Sequence, residues 1–167
     1  MTSRLKKSIA LMAIVVGTVG AWEGLRTVAY RDAVGVPTVC YGETRGVKMG
    51  DRYTVAECKE MLGEGLVEFE AMIRPCLKNP DAIPDKTYAS FVSLAYNIGP
   101  RAFCRSTVVK RWNAGIAYGS CDAMLWWNKA GGRVLKGLTN RRNDERRLCR
   151  EGIKEGIVTG VQPNHSN

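Results

Sequence analysis

Apolar residues recur along the chain at two spacings, which predict strands near the start and helices over most of the remainder. A nearly unbroken apolar run at 8–21 predicts a first helix. From Thr27 to Tyr41, Thr and Val residues flank a turn around Asp32–Gly35, a pattern typical of a β-hairpin or a small three-strand sheet. Helical spacing of apolar residues then predicts helices over 54–73, 86–98, 107–114, 121–130 and 140–151.

Polar residues and glycines predict where these helices begin and end. Thr54 and Glu57 form a T-x-x-E capping box. Ser106 and Thr139 are expected to cap the starts of two later helices. Three glycines are expected to follow helix ends: Gly115, Gly131 and Gly152.

These elements predict the α+β class, with a small sheet joined to a helical bundle. The 167 residues suffice for one domain with a sizeable core. A composition of 45% apolar and 25% charged residues is that of an ordinary folded protein. We therefore expect an apolar leader at 1–21, a folded domain at 22–161 and a loose tail at 162–167.

Composition excludes several classes of function. No apolar run reaches the ~18 residues of a membrane span, which excludes a permanent multi-span membrane protein. The single histidine, His165, is the third residue from the C-terminal end, so neither a His-rich metal site nor a Ser-His-Asp triad is expected. The phosphate-binding patterns G-x-G-x-x-G and G-x-x-x-x-G-K are absent, and we expect no metal and no cofactor.

Positive charge is concentrated in two stretches. The net charge is +9, with four bases and no acid at 101–112 and seven bases against two acids at 133–150. Residues 51–88 are instead net acidic. Clustered positive charge attracts polyanions such as nucleic acid, anionic lipid or a carboxylate-rich cell-wall polymer, but it is equally typical of a solvated helix face. Charge alone therefore leaves the partner open.

The six cysteines indicate a cellular compartment more than a chemistry. They lie 17 to 28 residues apart without a C-x-x-C pair, which disfavours zinc and redox-catalytic sites. An even number of widely spaced cysteines favours structural disulfides formed outside the cytosol, the alternative being six buried thiols. Of the fifteen pairings that six cysteines allow, we choose sequence neighbours: Cys40–Cys58, Cys76–Cys104 and Cys121–Cys149.

The N-terminus has the pattern of an export signal. Three bases, Arg4, Lys6 and Lys7, precede the uncharged run at 8–21. As a helix this run would span about 21 Å at ~1.5 Å per residue, less than the ~30 Å of a bilayer core. It is therefore predicted to support export but to anchor poorly. Cleavage after Ala21 and an amphipathic first helix of a cytosolic domain are the alternatives.

Candidate catalytic residues lie where the first helix meets the hairpin. Glu23, Asp32 and Thr38 are separated by eight and five residues. Hydrolysis of an acetal needs one carboxylic acid to protonate the departing oxygen and a second carboxylate to activate water or stabilise positive charge. The apolar surroundings of Glu23, including Trp22, are expected to raise its pKa, as a general acid requires. Asp32 is expected to stay ionised, and the Thr38 hydroxyl to position the attacking water.

The surroundings of these residues resemble the active-site signature of phage-type lysozymes, glycoside hydrolase family 24. The resemblance covers roughly residues 20–150, and the N-terminus resembles the signal-arrest-release endolysins. Matching segments follow in order: Trp22-Glu23-Gly24, Tyr30-Arg31-Asp32, Gly35-Val36-Pro37-Thr38, Gly42-Glu43-Thr44, Tyr96-Asn97-Ile98-Gly99, Ser106-Thr107-Val108, Trp127 with Ala130-Gly131-Gly132, Gly137-Leu138-Thr139-Asn140-Arg141-Arg142 and Glu145-Arg146.

This resemblance implies a lysozyme-like fold and cleavage of the β-1,4 bond between N-acetylmuramic acid and N-acetylglucosamine in peptidoglycan, for host cell lysis. Glu23 would be the general acid, Asp32 the base or electrostatic partner and Thr38 the residue that orients water. An inverting outcome requires carboxyl groups about 6.5–9.5 Å apart. Arg141 matches the position from which an arginine approaches the catalytic glutamate.

Four further residues have weaker assignments. Asn97, Phe103 and Ser106 are candidates for the sugar-binding cleft, or alternatively for bundle packing. Family members usually carry histidine where this chain has Glu43. Glu43 is therefore expected to be either a third acid near the cleft or an exposed residue.

The resemblance also implies a route and partners. We expect export from the host cytoplasm, a transient inner-membrane tether through 8–21 and release to the periplasm, as a monomer that binds peptidoglycan and no nucleic acid. Membrane retention would keep Glu23 away from Asp32 and Thr38. Two alternatives remain: a lytic transglycosylase acting on the same bond, and a membrane-tethered basic module that binds polyanions.

Overall fold

The computed structural model describes residues 3–158, so the predicted tail at 162–167 lies outside the described residues. The elements around the small sheet are α1 (Arg4–Lys7), α2 (Ile9–Glu23), β1 (Arg26–Arg31) and β2 (Pro37–Cys40). The bundle and its second hairpin consist of α3 (Val55–Ile73), α4 (Asp85–Ile98), α5 (Pro100–Arg105), α6 (Thr107–Asn113), α7 (Ala117–Ala123), β3 (Lys129–Ala130), β4 (Arg133–Val134) and α8 (Lys136–Val158). The predicted α+β class is confirmed.

The apolar run folds as α2 and packs against α3 and α4. The Ser8 hydroxyl accepts the N–H of Leu11 at 3.1 Å at its start, and Gly24 ends it with φ 66°. Leu11, Val15 and Val19, four residues apart, are fully buried in the main core. Within residues 3–158, the helices include none with both the length and the apolar character needed to cross a membrane.

The predicted hairpin forms the ribbon β1–β2, in which Tyr30 lies opposite Thr38. Its turn is closed by Asp32, whose carbonyl accepts the N–H of Gly35 at 3.0 Å. Gly35 has φ 85°, a left-handed conformation that favours glycine. A single antiparallel bridge between Val28 and residue 52 extends the ribbon without forming a full third strand.

The bundle is organised around α4, which is buried continuously from Thr87 to Ala95 and packs along α8. The capping box at Thr54 is confirmed, with its side chain and that of Glu57 each bonding the other's backbone N–H. Gly152 was wrong as a helix terminator, because α8 continues through it. A Cβ there would lie 2.5 Å from the backbone nitrogen of Thr87, so glycine permits close packing of α8 on α4.

Two other helix predictions were wrong for structural reasons. The predicted helix over 121–130 is replaced by the end of α7, a 3₁₀ turn at Met124–Trp126 and the β3–β4 hairpin. Gly131 and Gly132 both have positive φ, 56° and 76°, which suits the tight turn of this hairpin. Thr139 does not cap α8, because the helix begins at Lys136 and the Thr139 hydroxyl donates to the Leu135 carbonyl.

The disulfides confirm the predicted pairing of sequence neighbours. Each bond joins different parts of the chain: Cys40–Cys58 links β2 to α3, Cys76–Cys104 links the turn after α3 to α5, and Cys121–Cys149 links α7 to α8. All six cysteines of the sequence are used. The disulfides therefore fix the ribbon to the bundle and join two pairs of elements within the bundle.

Candidate active site

Glu23 is the last residue of α2, and its carboxylate forms an ion pair with Arg141 of α8. Arg141 Nη1 lies 2.7 Å from Glu23 Oε1. The Glu23 side chain is 24% exposed, whereas that of Arg141 is 5% exposed. Local sequence predicted apolar surroundings for this carboxyl group, whereas the family resemblance predicted the approach of Arg141, and the structure places that buried guanidinium against it.

Arg141 is itself held by two buried groups. Its Nε donates to Glu145 Oε1 at 3.1 Å, and its Nη2 donates to the Ser93 carbonyl at 3.3 Å. Glu145 is fully buried and also accepts from the Ser93 hydroxyl at 2.7 Å, while Arg142 Nε lies 2.7 Å from Glu145 Oε2. Burial raises the pKa of Glu145, and the neighbouring guanidinium groups oppose that rise. The network fixes the guanidinium that contacts Glu23.

Asp32 and Thr38 lie on the ribbon that follows Glu23. Asp32 Oδ1 accepts the backbone N–H of Val34 at 3.0 Å and that of Val36 at 2.8 Å, so the turn itself orients the carboxylate. The Thr38 hydroxyl donates to the Val36 carbonyl at 2.9 Å, and Thr38 is only 4% exposed. Among residues 3–158, no direct hydrogen bond or ion pair joins either residue to Glu23.

Glu43 is neither a free third acid nor a fully exposed residue. Its Oε1 accepts the backbone N–H of Thr44 at 2.9 Å and of Arg45 at 2.8 Å. Its Oε2 lies 3.1 Å from Arg45 Nη2, and Arg45 also pairs with Glu68 at 2.9 Å. The hydrogen bond from the Arg45 side chain lowers the pKa of Glu43. This local pairing occupies the position at which the family usually carries histidine.

Tyr96 of α4 is electrostatically coupled to both Glu23 and Glu43. Burial raises the pKa of Tyr96, and the negative charges of these two glutamates act in the same direction. Its ring lies 4.9 Å from that of Phe69, centroid to centroid. Tyr96 also lines a pocket of about 250 Å³ between α3 and the loop after β2. The residues that line this pocket include Glu43 but not Glu23.

The three weaker candidates have mainly structural contacts. Asn97 is exposed, and its Oδ1 accepts from Arg142 Nη1 at 2.9 Å. Phe103 is fully buried, with its ring 5.9 Å from that of Phe91. Ser106 caps α6 by accepting the N–H of Val109 at 3.3 Å. Phe103 and Ser106 therefore belong to the packing of the bundle rather than to a sugar-binding surface.

The sequence interpretation missed the buried residues around Arg141. It assigned no role to Ser93, and it included Glu145 and Tyr96 only within matching segments. One signal was present: Glu145 follows Arg141 by four residues and Arg142 by three, the spacings that place side chains together on a helix. Ser93 and Tyr96 come from another helix, and local sequence carries no comparable signal for them.

The fold and this site define a lysozyme-like α+β hydrolase, with a glutamate at a helix end beside a short β-ribbon. The chain belongs to the phage lysozyme family, whose model matches residues 20–145. It is a hydrolase of the lysozyme, or muramidase, class that acts on peptidoglycan.

Individual relatives agree with this family. The chain is 42% identical over 149 residues to the SAR-endolysin of Pseudomonas phage phiKMV, covering 87% of this chain and 91% of that protein. It is similar in structure to a P22 lysozyme mutant, with a TM-score of 0.74, 33% identity and coverage of 81% and 94% of the two chains. It also resembles the active form of the P1 phage endolysin Lyz, with a TM-score of 0.72, 25% identity and coverage of 87% and 94%.

Proposed function

We propose that the chain is an endolysin that hydrolyses the N-acetylmuramic acid to N-acetylglucosamine β-1,4 bond. Glu23 acts as general acid, Asp32 as base or electrostatic partner, and Thr38 orients the attacking water. The observation that carries this proposal is the 2.7 Å contact of Glu23 with buried Arg141. This contact supports the positioning of Glu23: a fixed guanidinium holds one carboxyl oxygen and leaves the second, Oε2, available to the departing sugar oxygen.

The ribbon supplies what the second half of the reaction needs. Asp32 is oriented by the turn and is not bonded to Glu23, which is compatible with a water molecule between the two carboxyl groups. The Thr38 hydroxyl donates its hydrogen bond to the Val36 carbonyl, so it would accept a hydrogen bond from the attacking water. A base and a hydroxyl acceptor on one ribbon favour hydrolysis over transglycosylation, which needs no water-activating carboxylate.

Turbidity clearing tests the acid assignment. Outer-membrane-permeabilised Gram-negative cells would be treated with wild type, Glu23→Gln and Glu64→Gln, the last an exposed glutamate of α3 that serves as a charge-matched control. We expect Glu23→Gln to lose at least about 100-fold in rate, and Glu64→Gln to match wild type. Equal clearing by Glu23→Gln would refute the role of Glu23. Products ending in 1,6-anhydro-muramic acid would instead establish a transglycosylase.

We further propose that α2 tethers the chain to the inner membrane before release to the periplasm. A helix that only packs on a globular body normally carries polar residues on its outer face. The outward positions of α2 include Ile9, Ala10, Ala13 and Gly17, and no charge occurs between Ser8 and Trp22. Similarity to a SAR-endolysin and to an active endolysin form supports this order of events.

The tether is tested at Gly17, an exposed position where an added Cβ would meet nothing within 4 Å. Gly20 is less suitable, because a Cβ there would lie 3.3 Å from the Tyr41 ring. Gly17→Leu should retain the chain in the membrane and delay lysis, whereas Gly17→Gln, which also favours helix, should not. Lysis by Gly17→Leu as early as by Gly17→Gln would refute the tether.

A further inference from the structure

A buried carboxylate outside the candidate active site binds the beginning of the chain. Glu70, on α3, has no exposed surface. Its Oε1 accepts the N–H of Arg4 at 2.9 Å, and both of its oxygens lie 3.3 Å from the N–H of Leu5. The Ser3 hydroxyl donates to Glu70 Oε2. Three consecutive residues, 65 to 67 positions away in sequence, therefore donate to one carboxylate.

The bundle supplies the rest of the surroundings of Glu70. The Tyr88 hydroxyl donates to Glu70 Oε1 at 2.8 Å, and Arg74 Nη1 lies 3.7 Å from the same oxygen. Arg74 is in turn held by Asp81 at 2.8 Å. These groups belong to α3, α4 and the segment between them, so half of the site is independent of the N-terminal segment.

The side chains of the N-terminal segment fit the same region. The Arg4 guanidinium donates to the Pro80 carbonyl at 2.8 Å, pairs with Asp85 at 2.5 Å and lies 4.7 Å over the Tyr88 ring. Leu5 is 1% exposed within the main core. The segment thus contributes a cation, an apolar side chain and backbone donors to one prepared site.

We propose that Glu70 is the docking site for Ser3–Leu5 and is thereby a positioning residue for Glu23. Only Ser8 separates α1 from α2, so holding α1 in place limits where the far end of α2 can lie. Glu23 is at that far end, about 22 Å along the axis of α2 from its first residue, where it contacts Arg141. Without the segment, the buried carboxylate would lack three of its donors, a costly state. The site is therefore complete only when the N-terminus is docked.

This inference rests on the proposed role of Glu23 and extends the proposed release. While 8–21 lies in the membrane, residues 3–5 lie on the side opposite the folded body and cannot reach Glu70. Docking then follows release and stabilises the released form. Residues that flank the tether in the membrane thus become part of the folded core.

Limited proteolysis of the purified full chain tests docking without any catalysis. Trypsin cleaves after basic residues, and the segment carries three: Arg4, Lys6 and Lys7. Glu70→Gln keeps the shape but turns an amide N–H towards donors. Intact-mass analysis should show N-terminal cleavage about tenfold faster than in wild type, with Glu64→Gln unchanged. Cleavage of Glu70→Gln at the wild-type rate would overturn the proposal. If Glu70→Gln does not fold, Ser3→Ala, which removes the hydroxyl donor, replaces it with the same expectation.

Kinetics on solubilised glycan strands tests positioning. Glu70→Gln should lower kcat at least about threefold while KM stays within about twofold, because the variant displaces Glu23 and leaves the cleft in place. Deleting residues 2–7 should lower kcat by a similar factor, and adding Glu70→Gln to the deletion should change nothing further. Fully additive losses would overturn the positioning role. Proteolysis repeated in the Glu23→Gln variant tests docking separately from the acid assignment. The cleavage rate does not depend on catalysis, so this test remains valid even if Glu23 proves dispensable.

Discussion

Replacing Gly152 by alanine adds one methyl group at the tightest contact between α8 and α4. The new Cβ would lie 2.5 Å from both the backbone nitrogen and Oγ1 of Thr87. Neither atom can move easily, because the nitrogen belongs to a buried helix and Oγ1 donates to the Cys149 carbonyl at 2.9 Å. Overpacking costs about 1–3 kcal/mol, and the rigid contact places this site near the upper value. Better helix propensity returns up to about 1 kcal/mol, leaving a net loss of about 2 kcal/mol.

Urea denaturation with the disulfides intact measures this loss. At a constant m-value, the midpoint should fall for Gly152→Ala, and the melting temperature should fall by about 4–8 °C for a chain of this size. Gly65→Ala is the matched control, since Gly65 lies within α3 and an added Cβ there would meet nothing within 4 Å. That variant should be stabilised by about 0.5–1 kcal/mol. A Gly152→Ala midpoint at or above wild type would refute the packing argument.

Three further substitutions separate chemistry from folding. Arg141→Lys should lower kcat about 10- to 100-fold with a smaller change in KM, measured on solubilised glycan strands. One ammonium group cannot replace the three guanidinium nitrogens that separately contact Glu23, Glu145 and the Ser93 carbonyl; unchanged kcat would contradict this prediction. Glu43→Gln should be less stable than wild type at neutral pH, and the melting temperatures of the two proteins should converge as pH falls. The lowered pKa of Glu43 means that pairing with Arg45 stabilises the fold above the ordinary glutamate pKa and is lost as pH falls through the lowered value. Ser106→Ala should lose about 1 kcal/mol of stability in urea unfolding with KM unaffected, whereas a raised KM would return Ser106 to the cleft.

Local interactions account for the parts of the fold that the sequence predicted well. The capping box at Thr54 and the cap at Ser106 each depend on residues within one helical turn, and both are present. The hairpin turn around Asp32 is equally local. Gly152 shows the limit: a glycine that permits contact with Thr87, 65 positions earlier, has the same local appearance as a helix terminator.

The candidate site likewise combines residues that local sequence could predict with residues that only the packing of the helices brings together. The spacing of Glu23, Asp32 and Thr38 is readable because one helix end and the following ribbon contribute all three. The groups that hold Arg141 come from α4 and from the next turn of α8, so Ser93 in particular is specified by helix packing. The paired state of Glu43 likewise depends on the conformation of the loop after β2.

The contacts at the two ends of α2 explain how a uniformly apolar helix acquires one register. The faces of the helix next to its buried residues, Leu11, Val15 and Val19, are also mostly apolar, so packing alone distinguishes neighbouring registers weakly. A slip of one residue would shift the helix about 1.5 Å and rotate it about 100°. Such a slip would separate Glu70 from its N-terminal donors or Arg141 from Glu23, and each hydrogen bond lost by a buried polar group costs about 1–3 kcal/mol. Polar contacts at the ends therefore specify the register, and the middle of the helix is left free to suit the membrane tether that we propose.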